Sequence, residues 1–455
     1  MRLEKEVFKA YDVRGPVPEA FDAEGAGRIA LALVKYLQEE GAGEHPTLVL
    51  ARDARPSSAP IEEQVIKNLV AAGVGVQLLG LSTTPMFYFA VNHLKADGGI
   101  MITASHNPPP DNGLKMVRKK AIAIGAGAGM EDIKAIALSE RSLVAEGAGF
   151  VEESDVLEEY IEFLLTFADV QKPLSVVIDT GNGMSPVVLE ELLPKLTQVE
   201  VDRLYFDIDL TFPNHEANPL KEETLKDLKS QVLVKGADLG VAFDGDGDRV
   251  GFVTHEGNVV RGDFITALLA KDALARANKP EEVLYEVKSS RVVAEQVRAS
   301  GGIPVRVATG HAEFNHKLRE GGGILGGELS CHYYFRETFN RDGPMLAMLR
   351  IFSMIANGTS LASAIAPYLS RYVQSGEINF RIGDKAEVLK RIHSAYPDGE
   401  HSTTDGLTVE YPDWWFNVRA SNTEDLLRLN VEARDAEQLE DEFFKLRELI
   451  GGVQE

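Results

Sequence analysis

Ser105 lies in the run Thr103-Ala104-Ser105-His106-Asn107-Pro108, after the apolar, β-compatible segment Gly98-Gly99-Ile100-Met101-Ile102 and just ahead of a proline run that cannot continue a strand. A hydroxyl on a turn at a strand end is a candidate nucleophile, but serine is a weak one until a neighbour takes its proton or neutralises charge beside it. In isolation the same residues would read as an ordinary turn or helix cap. A stronger chemical pattern is Asp244-Gly245-Asp246-Gly247-Asp248-Arg249. Alternate carboxylates on an extended loop gather around one point, and carboxylates about 4 Å apart repel by about 4 kcal/mol per pair at an effective dielectric of about 20. A bound cation relieves that repulsion, and hard oxygen ligands favour Mg2+, Mn2+ or Ca2+. Spacing argues against an EF-hand, because Arg249 stands where that loop needs glycine and His255 where it needs glutamate.

Two later clusters suit binding rather than bond making. Arg419, Ser421, Asn422 and Thr423 gather a guanidinium, hydroxyls and an amide ahead of an expected helix N-terminus, a setting for a phosphate that is held and not transferred. In Gly327-Glu328-Leu329-Ser330-Cys331-His332, Glu328 and Ser330 suit sugar hydroxyls, while Lys288, His311 and His332 carry charge toward phosphate. Arg14 follows Tyr11-Asp12-Val13 and is expected at a turn, pointing into a cleft. Lys115 is either a surface lysine or a proton-transfer group whose pKa burial would lower. Walker A, His-Glu-x-x-His and Cys-x-x-Cys patterns do not occur, which argues against a nucleotide-dependent kinase.

A repeating frame is expected to carry these loops. A helix over 26–39, a strand over 47–51, a helix over 60–72, a strand over 74–79 and the strand before Ser105 give β-helix-β order and imply a parallel sheet. The layout returns twice at roughly hundred-residue spacing, with strands over 174–178, 199–205 and 239–243, then 283–287, 304–307 and 323–325. Each unit's last strand delivers a polar loop, and open α/β sheets bind ligands outside the carboxyl ends of their strands. Beyond a helix over 346–356 come strands over 378–382, 406–409, 414–419 and 427–431 and a helix over 436–450, the pattern of a small α+β domain. Expected domains are 1–150 for the Ser105 loop, 151–255 for the acidic loop, 256–367 for the Glu328 loop and 368–455 for the Arg419 loop.

The chain has 455 residues, 44% hydrophobic and 26% charged, as in ordered globular proteins. A net charge of −23 argues against nucleic acid and anionic membranes as partners. A lone cysteine, Cys331, fits a reducing compartment, and the absence of an apolar leader or long apolar run leads to the expectation of a soluble, cytoplasmic protein.

Taken in order along the full chain, the four loops resemble those of the α-D-phosphohexomutase family, most closely its phosphomannomutase/phosphoglucomutase branch. The resemblance implies an α/β fold: three similar mixed-sheet α/β domains plus a smaller C-terminal α+β domain around a central cleft. It implies an intramolecular phosphotransferase that interconverts hexose 1-phosphate and hexose 6-phosphate, of both mannose and glucose. Phosphorylated Ser105 would give its phosphoryl group to the sugar, and a sugar 1,6-bisphosphate would serve as intermediate and activator. Mg2+ would be held by Asp244, Asp246, Asp248 and a phosphoserine oxygen at Ser105. By family position Arg14, His106, Lys115 and Arg249 join Ser105 in catalysis, and Lys288, His311, Glu328, Ser330, His332, Arg419, Ser421, Asn422 and Thr423 bind substrate. The expected assembly is a monomer or homodimer.

Two departures stand out. The family's sugar loop usually reads Gly-Glu-Met-Ser-Gly-His, whereas here Leu329 and Cys331 replace methionine and the second glycine, so Cys331 restricts that backbone. Asp425 replaces a common proline and adds negative charge near a phosphate site, or else favours a following helix N-terminus. Glu328 and Ser330 are expected on O3 and O4, which do not separate epimers at C2, so dual specificity follows. Phosphoglucosamine mutases usually carry glutamine where Leu329 stands; such a mutase and a non-catalytic phosphosugar-binding homologue are the alternatives.

Overall fold

The structure is a computed structural model that describes residues 1–139, 143, 147–421 and 425–454, with the side chains of His311 and Ala312 outside the description. The described residues form four sheets. In the first, Thr47–Arg52 runs parallel to Gly75–Leu81 on one side and to Gly98–Ile102 on the other. Asp111–Arg118 then pairs antiparallel with Gly98–Ile102, and Val13–Pro16 antiparallel with Asp111–Arg118. The parallel strands expected of this unit are present, and with the antiparallel pair they make the mixed sheet that the family resemblance implies. The physical reason is loop length: the connection 103–110 is too short for a parallel crossover, which needs a dozen or more residues, so the chain can only turn back.

The same plan recurs. In the second sheet the parallel set Val199–Leu204, Leu174–Asp179 and Leu239–Phe243 is followed by antiparallel Val250–Thr254. In the third, Ile303–Val307, Glu282–Glu286 and Leu325–Gly327 are followed by antiparallel Tyr333–Phe335. Each of the first three loops is thus a hairpin at the carboxyl end of its unit's last parallel strand. The fourth sheet is antiparallel throughout, and its loop is again a hairpin, between Trp414–Ala420 and Leu426–Ala433. The strand expected over 427–431 is therefore present as Leu426–Ala433, and no helix N-terminus follows the loop among the described residues. Alternation decides it: Leu427, Leu429 and Val431 face the core with Phe416 and Val418, a period of two and not of 3.6.

Arg14 also differs from expectation, lying in the edge strand Val13–Pro16 opposite Gly113 and not on a turn. A glycine is needed there because a Cβ at 113 would lie 2.2 Å from the carbonyl oxygen of Val13. Helix Thr84–His93 has no sequence periodicity, since Met86, Phe87, Tyr88, Phe89, Ala90 and Val91 are all buried. Thr83 caps it by accepting from the Met86 N–H, and Pro85 suits its first turn. Each large apolar side chain fully buried contributes roughly 1.5–3 kcal/mol, so packing and not propensity holds this helix.

One continuous core runs through the first three sheets, joining Met86 and Phe87 to Val176, Phe252 and Phe352. The fourth sheet has a separate core around Trp414, Phe416, Leu429 and Leu446. Polar contacts join it to the third unit: Arg291 donates to the carbonyl of Pro412 at 2.9 Å, and the buried Glu432 accepts from the Arg291 N–H at 3.0 Å and the Trp415 indole at 2.7 Å. Among the described residues no single helix is long and apolar enough to cross a membrane.

Candidate active site

Ser105 sits at φ +51°, in the left-handed region, which costs a residue with a side chain about 1–2 kcal/mol. Its N–H donates to Thr103 Oγ1 at 2.9 Å, and its hydroxyl donates to Asp244 Oδ2 at 2.7 Å. His106 Nδ1 lies 3.1 Å from Oγ; with the hydroxyl proton committed to Asp244, this contact requires the Nδ1–H tautomer. Burial and the nearby Arg249 and Arg14 push the His106 pKa down to about 2, so the ring is neutral. Gly245 is demanded by close approach: a Cβ there would lie 2.3 Å from the Ser105 carbonyl oxygen. The acidic loop of the second unit therefore rests on the backbone of Ser105.

Asp244, Asp246 and Asp248 are buried and offer carboxylate oxygens within 4.8 Å of one another. Asp244 Oδ1 accepts from the N–H groups of Asp248 at 3.0 Å and Arg249 at 3.1 Å. Asp246 Oδ2 accepts from Thr84 Oγ1 at 2.5 Å and Lys115 Nζ at 2.6 Å, and Asp248 Oδ2 from the same ammonium at 2.5 Å. Burial and the two like charges hold the Asp244 carboxyl well above the usual carboxylate range. Burial would raise Asp248 too, but Lys115, His332 and Arg249 outweigh it and hold that carboxyl well below. Asp246 Oδ1 and Asp248 Oδ1 are buried without a hydrogen-bond donor among the described residues. Unsatisfied hard oxygens on two of three converging acids fit a divalent cation, and the Lys115 ammonium already answers part of the same charge.

Lys115 is on strand Asp111–Arg118, and the expectation that burial would lower its pKa is overturned. Burial does act downward, but Asp246 and Asp248 outweigh it and hold the ammonium well above its usual range. Arg249 is half-buried, with Nε 3.9 Å from both Asp244 Oδ2 and Asp248 Oδ1. Arg14 donates to Asn107 Oδ1 at 2.8 Å and Asp12 Oδ2 at 2.5 Å, which ties the edge strand to the Ser105 loop.

The third loop joins this centre through its backbone, the Val250 N–H donating to the Cys331 carbonyl at 3.2 Å. Glu328 accepts from Ser330 Oγ at 3.0 Å and from the Tyr334 hydroxyl, and burial raises its pKa. His332 Nδ1 is 2.8 Å from Asp342 Oδ1 and 3.9 Å from Asp248 Oδ1. Burial opposes protonation of His332, yet Asp248 and Asp342 raise its pKa to about 9. Cys331 has φ +65°, so the position does require the glycine-like conformation that its residue type makes costly. Its thiol is buried and pushed up to about 11 by desolvation. Iodoacetamide at pH 8 is therefore expected to leave native Cys331 unmodified and to alkylate it fully after denaturation, as read by intact mass.

In the fourth loop Arg419 donates to Glu377 Oε2 at 3.0 Å, and Lys288 Nζ lies 3.4 Å from the same oxygen and 3.1 Å from Glu286 Oε1. Arg428 reaches Glu377 Oε1 at 3.2 Å. A single carboxylate thus gathers three cations, which keep it charged, with its pKa lowered. Nothing in the pattern around Ser375-Gly376-Glu377 marks it in the sequence. A cavity of about 260 Å³ borders Lys288, Glu377, Ser330 and Trp415. The Ser421 N–H donates to the Leu426 carbonyl at 2.9 Å across the hairpin, while Asn422 and Thr423 lie outside the described residues. His311 opens helix His311–Gly321, and its side chain is likewise outside the description. Asp425 pairs with Lys385 at 2.8 Å, so its charge is answered on its own face.

The structure therefore brings Ser105, His106, Lys115, the three acids, Arg249 and His332 into one polar centre, with Glu328 and Ser330 adjoining it and Lys288 and Arg419 held together at Glu377. Tyr11 closes the first unit onto the third by donating to the Thr309 carbonyl at 3.0 Å. A hydroxyl at a hard-cation site beside a separate cluster of cations is suited to phosphoryl transfer on a substrate with an anionic end.

Four successive profiles of one family match the chain: phosphoglucomutase/phosphomannomutase α/β/α domain I over 5–143, domain II over 158–257, domain III over 261–372 and the C-terminal domain over 377–449. The chain is 36% identical over 451 residues to phosphohexose mutases of Xanthomonas campestris pv. campestris, covering 98% of this chain and 99% of theirs. It is 36% identical over 445 residues to a phosphomannomutase/phosphoglucomutase of Pseudomonas aeruginosa, covering 96% and 94%. A phosphoglucomutase/phosphomannomutase family protein of Burkholderia thailandensis has the same fold, with a TM-score of 0.90 and 32% identity over 99% of both chains.

Proposed function

This chain belongs to the phosphoglucomutase/phosphomannomutase family and is a hexose-phosphate mutase, and from that premise we propose that it interconverts the 1- and 6-phosphates of glucose and mannose through phospho-Ser105. The observation that carries the reading is the contact of Ser105 Oγ with Asp244 inside a cluster of three buried acids. Asp244, Asp246 and Asp248 would hold a divalent cation, Mg2+ by the hardness of the donors, and that ion when bound supplies charge neutralisation to the transferring phosphoryl group.

The chain's own groups do the rest. Gly245 and Thr103 fix the nucleophile's backbone, and Asp244 orients its hydroxyl. Arg249 and Arg14 add positive charge on the side where the phosphoryl group is transferred. Lys115 is assigned to proton transfer in a state where its two carboxylates are otherwise engaged, because paired with them it is held as a cation. Glu328 and Ser330 are assigned to sugar hydroxyls, and His332 to charge near the sugar. Arg419 and Lys288, with Ser421, Asn422, Thr423 and His311, are assigned to the phosphate that is not being transferred. On this reading the Glu377 carboxylate holds those cations together until a phosphate replaces it. Since Glu328 and Ser330 would read O3 and O4, glucose and mannose fit alike.

Phosphorus NMR of glucose 1-phosphate, mannose 1-phosphate and glucosamine 1-phosphate, with Mg2+ and a trace of sugar 1,6-bisphosphate, tests the reading. Comparable conversion of the first two to 6-phosphates is expected. Conversion of glucosamine phosphate alone would reassign the substrate, and binding without conversion of any would contradict the activity.

A further inference from the structure

Arg55 is among the most deeply buried charged side chains in the protein, with a side chain that is 0% exposed. Its guanidinium donates to four carbonyl oxygens on both flanks of the turn that carries the nucleophile: Ser105 at 2.8 Å, Asn107 at 2.7 Å, Pro108 at 2.8 Å and Asp111 at 2.9 Å. Asp53, itself fully buried, lies 3.3 Å from Arg55 Nε and accepts from the Arg55 N–H at 3.0 Å and from Ser58 Oγ at 2.5 Å. The ring of Phe212, from the second unit, covers the guanidinium at 5.6 Å from its centre. No contact with the Ser105 hydroxyl is made.

We infer that Arg55 is a positioning residue for phosphoryl transfer, setting the left-handed conformation of Ser105 by drawing the carbonyls of its loop onto one planar fork. The inference rests on the mutase reading above. A guanidinium offers five donors in a fixed plane, whereas a lysine ammonium offers three on a tetrahedral centre and cannot span the four acceptors. With the fork gone, the loop's carbonyls turn and carry Oγ off the line of attack, and displacement of about 1 Å costs on the order of 100-fold in rate. Substrate binding, which depends on the third and fourth loops, is untouched by this change.

The test is the rate at which Ser105 takes phosphate from glucose 1,6-bisphosphate with Mg2+, followed by mass spectrometry of the phosphopeptide. In this step the Oγ–P bond forms as a sugar O–P bond breaks, and the hydroxyl proton passes to the departing sugar oxygen. Arg55→Lys is expected to slow phosphorylation by about 100-fold, with the dissociation constant for glucose 1-phosphate within about threefold of wild type. Asp53→Asn, which loosens the guanidinium without removing it, is expected to slow it by about tenfold and carries the test if Arg55→Lys does not fold. Wild-type phosphorylation rates in the folded variants would overturn the inference, as would equal losses of rate and affinity. A wild-type protein whose Ser105 takes no phosphate would overturn the mutase reading, and this inference with it.

Discussion

Ser105→Ala is expected to lower kcat for glucose 1-phosphate by at least about 10⁴-fold while the protein stays folded and still binds the sugar phosphate. The methyl group keeps the backbone environment of the turn, including the N–H bond to Thr103 at 2.9 Å, but removes the hydroxyl that contacts Asp244 and would accept the phosphoryl group. The other described hydroxyl that touches the acid cluster, Thr84 on Asp246, is held within helix Thr84–His93 and not on a loop. Initial rates with a saturating Mg2+ supply and added bisphosphate check the prediction. A variant turning over at the wild-type rate would remove Ser105 from the mechanism.

Asp246→Asn is expected to cut kcat/KM by roughly 10²–10³-fold and to raise the Mg2+ concentration needed for half-maximal activity. Asp246 has two duties at once. Oδ2 receives Lys115 and Thr84, and the buried Oδ1 has no donor among the described residues. An amide placing its oxygen toward Lys115 turns an NH2 group toward the cation site, a donor where a ligand is required. The opposite rotamer places the NH2 group against an ammonium. Either choice leaves a buried conflict, and neither restores the lost negative charge. An unchanged Mg2+ titration would contradict the assignment of this loop to metal.

The chemistry of the site was largely legible in the sequence because each loop is local. Alternate aspartates, Ser-His-Asn after an apolar strand, and Glu-x-Ser are contiguous, and the hairpin that displays each one places its residues together without help from the rest of the chain. Three kinds of feature were not legible. Strand direction is not legible in the apolar runs themselves, since 98–102 and 239–243 look the same whether the next strand is parallel or antiparallel; the mixed sheet was implied by the family resemblance, and loop length gives its reason. Helix Thr84–His93 was lost because burial on all sides erases the periodic signal. Pairs distant in sequence were lost altogether, within units as well as across them: Thr84 with Asp246, Glu377 with Arg419 and Lys288, and Arg55 with the carbonyls around Ser105 each join residues whose separation in sequence carries no pattern. The Lys115 pKa belongs with them, since its sign depends on two carboxylates from another unit outweighing burial.

Cys331 and Asp425 show how departures from a family pattern resolve in three dimensions. Cys331 keeps the left-handed turn that a glycine would take, so the loop's course is preserved at a conformational cost. Asp425, 73% exposed by its side chain, is answered by Lys385.

The most direct measurement of the central claim is the fate of a labelled phosphate on Ser105. Protein carrying radiolabelled phosphate at this residue is mixed with a stoichiometric amount of unlabelled glucose 1-phosphate, and the reaction is quenched after a single turnover. The label is expected to leave the protein and appear in sugar bisphosphate and glucose 6-phosphate, while Ser105 regains unlabelled phosphate from the sugar. Label that remains on Ser105 while glucose 6-phosphate accumulates would contradict the account.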